Sequence, residues 1–172
     1  MKNKITPTHL ERVIRENDFI VSKTDLTGRI TYCNETFIDI SGYTEPELLG
    51  AQHNINRHPD MPRGVFQLLW DTIKSGRECF AYVKNLCKDG SYYWVFANVT
   101  PNFDDRHQPT CYFSVRRKPR PEAIQIVSDL YAAMLAEENR AGPRDAVAAS
   151  TVLLNKLLKE RGETYEKFIL SI

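Results

Sequence analysis

Three asparagines, Asn34, Asn85 and Asn98, can each donate and accept hydrogen bonds. Phe37, Phe66, Trp70 and Trp94 can supply the walls of an apolar slot. A slot with a few polar groups is what a small-molecule site requires. The same residues also serve without a ligand, since asparagine caps helices or bridges strands and aromatics fill cores. Arg57 offers a guanidinium fork that matches phosphate or carboxylate oxygens, or else forms a surface ion pair with Asp60. Asp60 is equally suited to capping a helix.

His53 and His58 stand five apart, which matches no zinc motif, so no metal site is predicted. Cys33, Cys79, Cys87 and Cys111 form no C-x-x-C pair and read as free thiols, several of them buried. The chain shows no nucleophile–base pair, no P-loop and no G-x-G-x-x-G, and the expectation is that it is not an enzyme. Arg116, Arg117, Lys118 and Arg120 form a small basic cluster, read as a solvated strand end.

The 172 residues suit one domain with an extension. Hydrophobic residues make up 42% and charged residues 26%, enough for a sizeable core. Lys+Arg is 23 against 22 Asp+Glu, a net charge of +1 that gives no drive toward nucleic acid or an anionic membrane. No apolar run approaches the ~20 residues of a membrane span, and Met1 to Leu10 lacks the apolar stretch of a signal peptide. These features lead to the expectation of a cytoplasmic protein.

Leu10, Val13 and Ile14 predict a short helix over Thr8 to Glu16. Asp18 to Val21 and Arg29 to Cys33 read as a hairpin around Asp25-Leu26-Thr27-Gly28. Asn34 caps one short helix, and Thr44 with Glu47 makes a capping box for another, stopped by Gly50. A longer helix follows Asp60, with Val65, Phe66, Leu69, Trp70 and Ile73 as its stripe. Cys79 to Leu86 and Tyr92 to Val99 flank Lys88-Asp89-Gly90, a hairpin signal, and Cys111 to Val115 alternates as a further strand. Beyond Pro119 and Pro121 the chain is helical, broken at Gly142-Pro143 and stopped at Gly162, before a final short helix. The order implies an α+β layout, an antiparallel sheet with helices on one face.

Asn34-Glu35-Thr36-Phe37, Ser41-Gly42-Tyr43, Glu47-Leu48-Leu49-Gly50 and Lys88-Asp89-Gly90 with Tyr93-Trp94-Val95 resemble a PAS domain. The run from His53 to Pro62, with its Arg57-His58-Pro59-Asp60-Met61-Pro62 core, resembles more specifically the flavin-binding PAS domain of bacterial aerotaxis receptors. The resemblance covers residues 18 to 118. It implies a five-stranded PAS sheet, flanked here by an N-terminal helical cap (1–17) and a C-terminal helical extension (119–172). It further implies FAD on the concave face, with Asn34, His53, Arg57, His58, Asp60, Trp70 and Asn85 near the cofactor. Phe66 joins them as a wall. Cys79 stands where the family usually has a tryptophan of the cofactor wall. No cysteine sits in the Asn-Cys-Arg type motif of a light-sensing flavin domain. The reading is a redox or oxygen sensor of the aerotaxis type, pairing as a homodimer and reporting to an unidentified signalling protein. A haem-binding gas sensor with a histidine axial ligand and a cofactor-free interaction module are the alternatives. The C-terminal stripes, led by Val127, Leu130, Met134, Leu154 and Leu158, are predicted either to self-associate or to dock on the PAS core.

Overall fold

The computed structural model describes residues 5–172. Strands β1 (Ile20–Thr24) and β2 (Ile30–Cys33) precede helices α1 (Glu35–Ser41) and α2 (Glu45–Leu48), a 3-10 turn (His53–Asn56) and α3 (Arg63–Lys74). Strands β3 (Cys79–Leu86), β4 (Tyr92–Phe103) and β5 (Pro109–Arg117) complete one antiparallel sheet in the order β2-β1-β5-β4-β3. Helices α4 (Pro121–Arg161) and α5 (Tyr165–Ser171) follow.

Local chemistry accounts for the turns. Asp25 Oδ1 accepts from the amides of Thr27 and Arg29, and Gly28 takes a positive φ of 85°, closing the first hairpin. Asp89 does the same for the β3–β4 hairpin, accepting from the amide and hydroxyl of Ser91. Asn34 caps α1 by accepting from the Phe37 amide, and Thr44 with Glu47 forms the predicted capping box of α2.

Two expectations fail. No helix forms over Thr8 to Glu16. The segment runs extended beside the start of β4: the Thr8 amide donates to Gly90 O (2.7 Å), the Tyr92 amide to Leu10 O (2.9 Å) and the Arg12 amide to Tyr92 O (2.7 Å). Pairing satisfies these backbone groups where a short isolated helix would be marginal. It buries Ile14 while leaving Leu10 and Val13 exposed. Nor does Asp60 cap α3, whose N-cap is Pro62. The α3 amide of Gly64 is met instead by Glu138 Oε1 of α4 at 3.0 Å.

The C-terminal helices dock on their own chain. Gly142 is non-helical (φ 80°, ψ 170°) and kinks α4 ahead of Pro143. Val127, Met134, Leu154 and Leu158 of α4 and Phe168 and Ile169 of α5 join the core that contains Phe37, Val95 and Ala97. Each such side chain gains roughly 1.5–3 kcal/mol on burial. Tyr131 of α4 donates its hydroxyl to the Tyr82 carbonyl of edge strand β3 at 2.8 Å and stacks on Trp94. A bare edge would otherwise present unpaired backbone groups.

Candidate functional site

Strand register decides which side chains share the inner face of the sheet. Ser22 pairs with Ser114, Thr24 with Tyr112, Asn98 with Val115 and Cys79 with Val99. Alternation then places Thr24, Ser114, Arg116, Ala97, Val99, Val83 and Asn85 toward α3 and the 3-10 turn. Between these layers lies a cavity of about 220 Å³. Phe66, Leu69, Trp70 and Ile73 wall it from α3, and Gln52, His53, Asn56 and Arg57 line it from the 3-10 turn and its flanks. The volume is below the ~300–1,000 Å³ usual for whole drug-sized ligands. It suits one planar ring system with the rest of a larger ligand outside.

Charge in this cavity is one-sided. Its lining includes Arg57 and Arg116 and no carboxylate. Arg116 is 3% exposed, and burial lowers its pKa to about 10, so it stays protonated at neutral pH. It donates from Nη2 to Ser22 Oγ at 2.7 Å and lies over the Phe37 ring, 4.4 Å from its centroid. Its Nε and Nη1 have no hydrogen-bond partner, and neither does the amide nitrogen of buried Asn85. A buried donor left unmade costs roughly 1–3 kcal/mol, more when charged. The cavity therefore holds several donors in want of acceptors.

Ser22 Oγ also lies 3.1 Å from His53 Nε2. Ser22 accepts from Arg116, and its contact with His53 Nε2 is a second hydrogen bond whose direction follows the His53 tautomer. Desolvation, with the Arg116 charge adding to it, drops the His53 pKa to about 3, so the ring is neutral.

Of the nine residues singled out from sequence, His53, Arg57, Phe66, Trp70 and Asn85 line the cavity. Arg57 donates to Met61 O at 3.0 Å and stacks on Phe66 at 4.4 Å, and its backbone bridges that of Asn85. The expected ion pair to Asp60 is absent, since Asp60 pairs with Lys84 at 2.7 Å. Asn34, His58, Asp60 and Cys79 are not among the lining residues. Asn34 is committed to backbone, accepting from Val21 and Phe37 amides and donating to Phe19 O. Buried His58 accepts the Asp60 amide at 3.1 Å and packs edge-on to Tyr92. Cys79 packs with Ile73 and Tyr112, which line the cavity, and burial pushes its thiol up to about 11.

The residue that sequence reasoning missed is Arg116. Its neighbours in a basic run made it look solvated, yet Arg117 is exposed while Arg116 points inward. The signal was the strand alternation that pairs it with Tyr112 and Ser114. Among the described residues no group of three or more His, Cys, Asp or Glu could hold a metal, and no helix is long and apolar enough to cross a membrane.

Comparison with known proteins adds to this geometry. The PAS fold family matches residues 30–116. The aerotaxis receptor of Escherichia coli (strain K12) is 41% identical over 123 residues, covering 72% of this chain and 24% of the receptor. The nitrogen fixation regulatory protein of Klebsiella pneumoniae is 25% identical over 105 residues, 61% of this chain and 21% of that protein. The chain thus spans about a quarter or less of these two relatives. Among solved structures, the light state of the blue-light photoreceptor Aureochrome1 LOV matches with a TM-score of 0.59 at 18% identity, over 64% of this chain and 88% of that one. The light-state dimer of the fungal photoreceptor Vivid matches at 0.54 and 19% identity, over 64% and 84%. At such identity the likeness is one of fold alone.

Proposed function

The chain belongs to the PAS family, and we propose that it is a sensor module that holds FAD by its isoalloxazine ring and reports redox state or oxygen to a partner protein. The observation that carries this reading is the pairing, in one ring-sized cavity, of aromatic walls with the unpartnered amide of Asn85. A flavin presents a flat apolar body and a polar pyrimidine edge, and needs both features. Phe66, Leu69, Trp70 and Ile73 would cover the ring from α3, with Val83, Ala97 and Val99 on the sheet side, Asn85 would donate to its edge, and Arg57 supplies the positive charge that suits a pyrophosphate. The similarity to an aerotaxis receptor points the same way.

When bound, a flavin supplies reversible electron uptake with a change in ring charge. This chain's part is to hold the ring, exclude water and respond. The wall helix α3 meets the cavity through Phe66 and Trp70 and meets α4 through Gly64, so a shift in ring contacts reaches the C-terminal helices by one rigid element. A homodimer and a cytoplasmic setting belong to the same proposal. Haem is the weaker reading, because the cavity histidine, His53, has its Nε2 engaged by Ser22. FAD, FMN and haem titrated separately into ligand-free protein distinguish the two. The flavins should quench their own fluorescence and saturate at one per chain, and Asn85→Leu should weaken binding roughly tenfold, the order expected for one lost hydrogen bond. Saturation by haem alone would overturn the proposal.

A further inference from the structure

We infer that Arg116 is a ligand-binding residue of this cavity, which donates a free guanidinium proton to the electron-rich pyrimidine edge of the bound ring. The inference rests on the flavin reading and goes beyond it, since neither the comparisons nor the motif pattern assign Arg116 any role. A protonated guanidinium at 3% exposure, in a cavity without a carboxylate, is an uncompensated charge. Such a charge is costly unless a partner arrives, and replacing it by an apolar group of similar size is often neutral or stabilising.

Its placement is not accidental packing. The Ser22 hydroxyl takes one Nη2 proton, and Phe37 lies against the guanidinium plane. These contacts fix the group while leaving Nε and Nη1 unpartnered. Ser22 in turn hydrogen-bonds His53, which is held neutral, so the cavity offers a single positive charge on this side and no competing acid. Nε–H and the Nη1 protons leave the guanidinium on different sides, so one of them can donate to a carbonyl oxygen or ring nitrogen of a pyrimidine edge while the charge lies beside it. Asn85 adds a third donor to the same cavity. Together they fix which edge of the ring enters: the acceptor-rich end faces Arg116 and Asn85, and the apolar end faces the Leu69–Ile73 side.

The test compares wild type, Arg116→Met and Arg116→Lys in the full chain. FAD carrying 13C at each pyrimidine carbonyl is bound, and carbonyl stretching bands are read by infrared difference spectroscopy beside the dissociation constant and the melting temperature of ligand-free protein. Arg116→Met should raise a carbonyl frequency and weaken binding roughly tenfold to hundredfold, as for a charged hydrogen bond. It should leave the ligand-free melting temperature equal or higher. Arg116→Lys, which keeps the charge without the planar guanidinium, should fall between on both binding measures. A lower ligand-free melting temperature with unchanged affinity and carbonyl bands would make Arg116 a structural residue and overturn the inference alone. If Arg116→Met does not fold, unchanged bands and affinity in Arg116→Lys would overturn it. Failure of wild type to take up any flavin would overturn the flavin reading and this assignment together.

Discussion

His53 and His58 place a pH dependence in the fold. Burial is the larger cause in both, lowering the pKa of His53 to about 3 and of His58 to about 4. A histidine whose folded pKa is depressed binds its proton more readily in the unfolded chain. Stability is therefore fully present above the unfolded value of about 6.5 and falls as the pH drops from there toward 4 and then 3. Each unit of pH below 6.5 costs at most about 1.4 kcal/mol per histidine. Moving from pH 7 to pH 5 should thus cost up to about 4 kcal/mol for the pair. Urea unfolding at the two pH values measures this directly, and His58→Gln should roughly halve the loss. A flat profile would mean that neither ring is desolvated as described. At this scale the sequence was legible for residue types and poorly legible for direction. Arg57 was singled out by the motif it stands in and Asn85 by the family resemblance, and both line the cavity. Arg116 was hidden by Arg117 and Lys118, and Asn34 could not be told from a plain helix cap, which is the work it does.

Among the elements, α3 is held between the cavity and α4. Gly64 at its start lets α4 approach closely: a Cβ there would sit 2.4 Å from Ser150 Oγ and 3.3 Å from Met134 Cε. Ser150 cannot turn away freely, because it donates to Glu138 at 2.8 Å, and Glu138 also accepts the Gly64 amide. Gly64→Ala should therefore destabilise the protein by about 1–2 kcal/mol, the overpacking cost exceeding the better helix propensity of alanine. A thermal melt reads the change, and an unchanged or raised melting temperature would contradict this junction. Strands and hairpins were legible because Asp25, Gly28, Asp89 and Gly90 announce their turns and the runs between them alternate. The N-terminal segment was not. Its spacing of Leu10, Val13 and Ile14 imitates a helix, but pairing with Tyr92 across about eighty residues decides its shape, and no local pattern reports such a partner.

For the whole molecule, the apolar stripes predicted on the C-terminal segment are buried against the chain's own sheet edge and α3. Sequence could show that these faces need cover but not whose surface supplies it, because an amphipathic helix reads the same in either case. With the helices docked, the proposed output would pass through contacts such as Tyr131 to Tyr82 and Glu138 to Gly64. On the proposed function, a flavin fills the cavity and changes state with its redox environment. The visible absorption spectrum of freshly purified protein, recorded in air, after anaerobic reduction and after readmission of air, tests it most directly. Oxidised flavin bands should be present, bleach on reduction and return with oxygen, and acid precipitation should release free FAD. Protein that stays colourless after FAD is offered, or that carries a Soret band instead, would contradict the account.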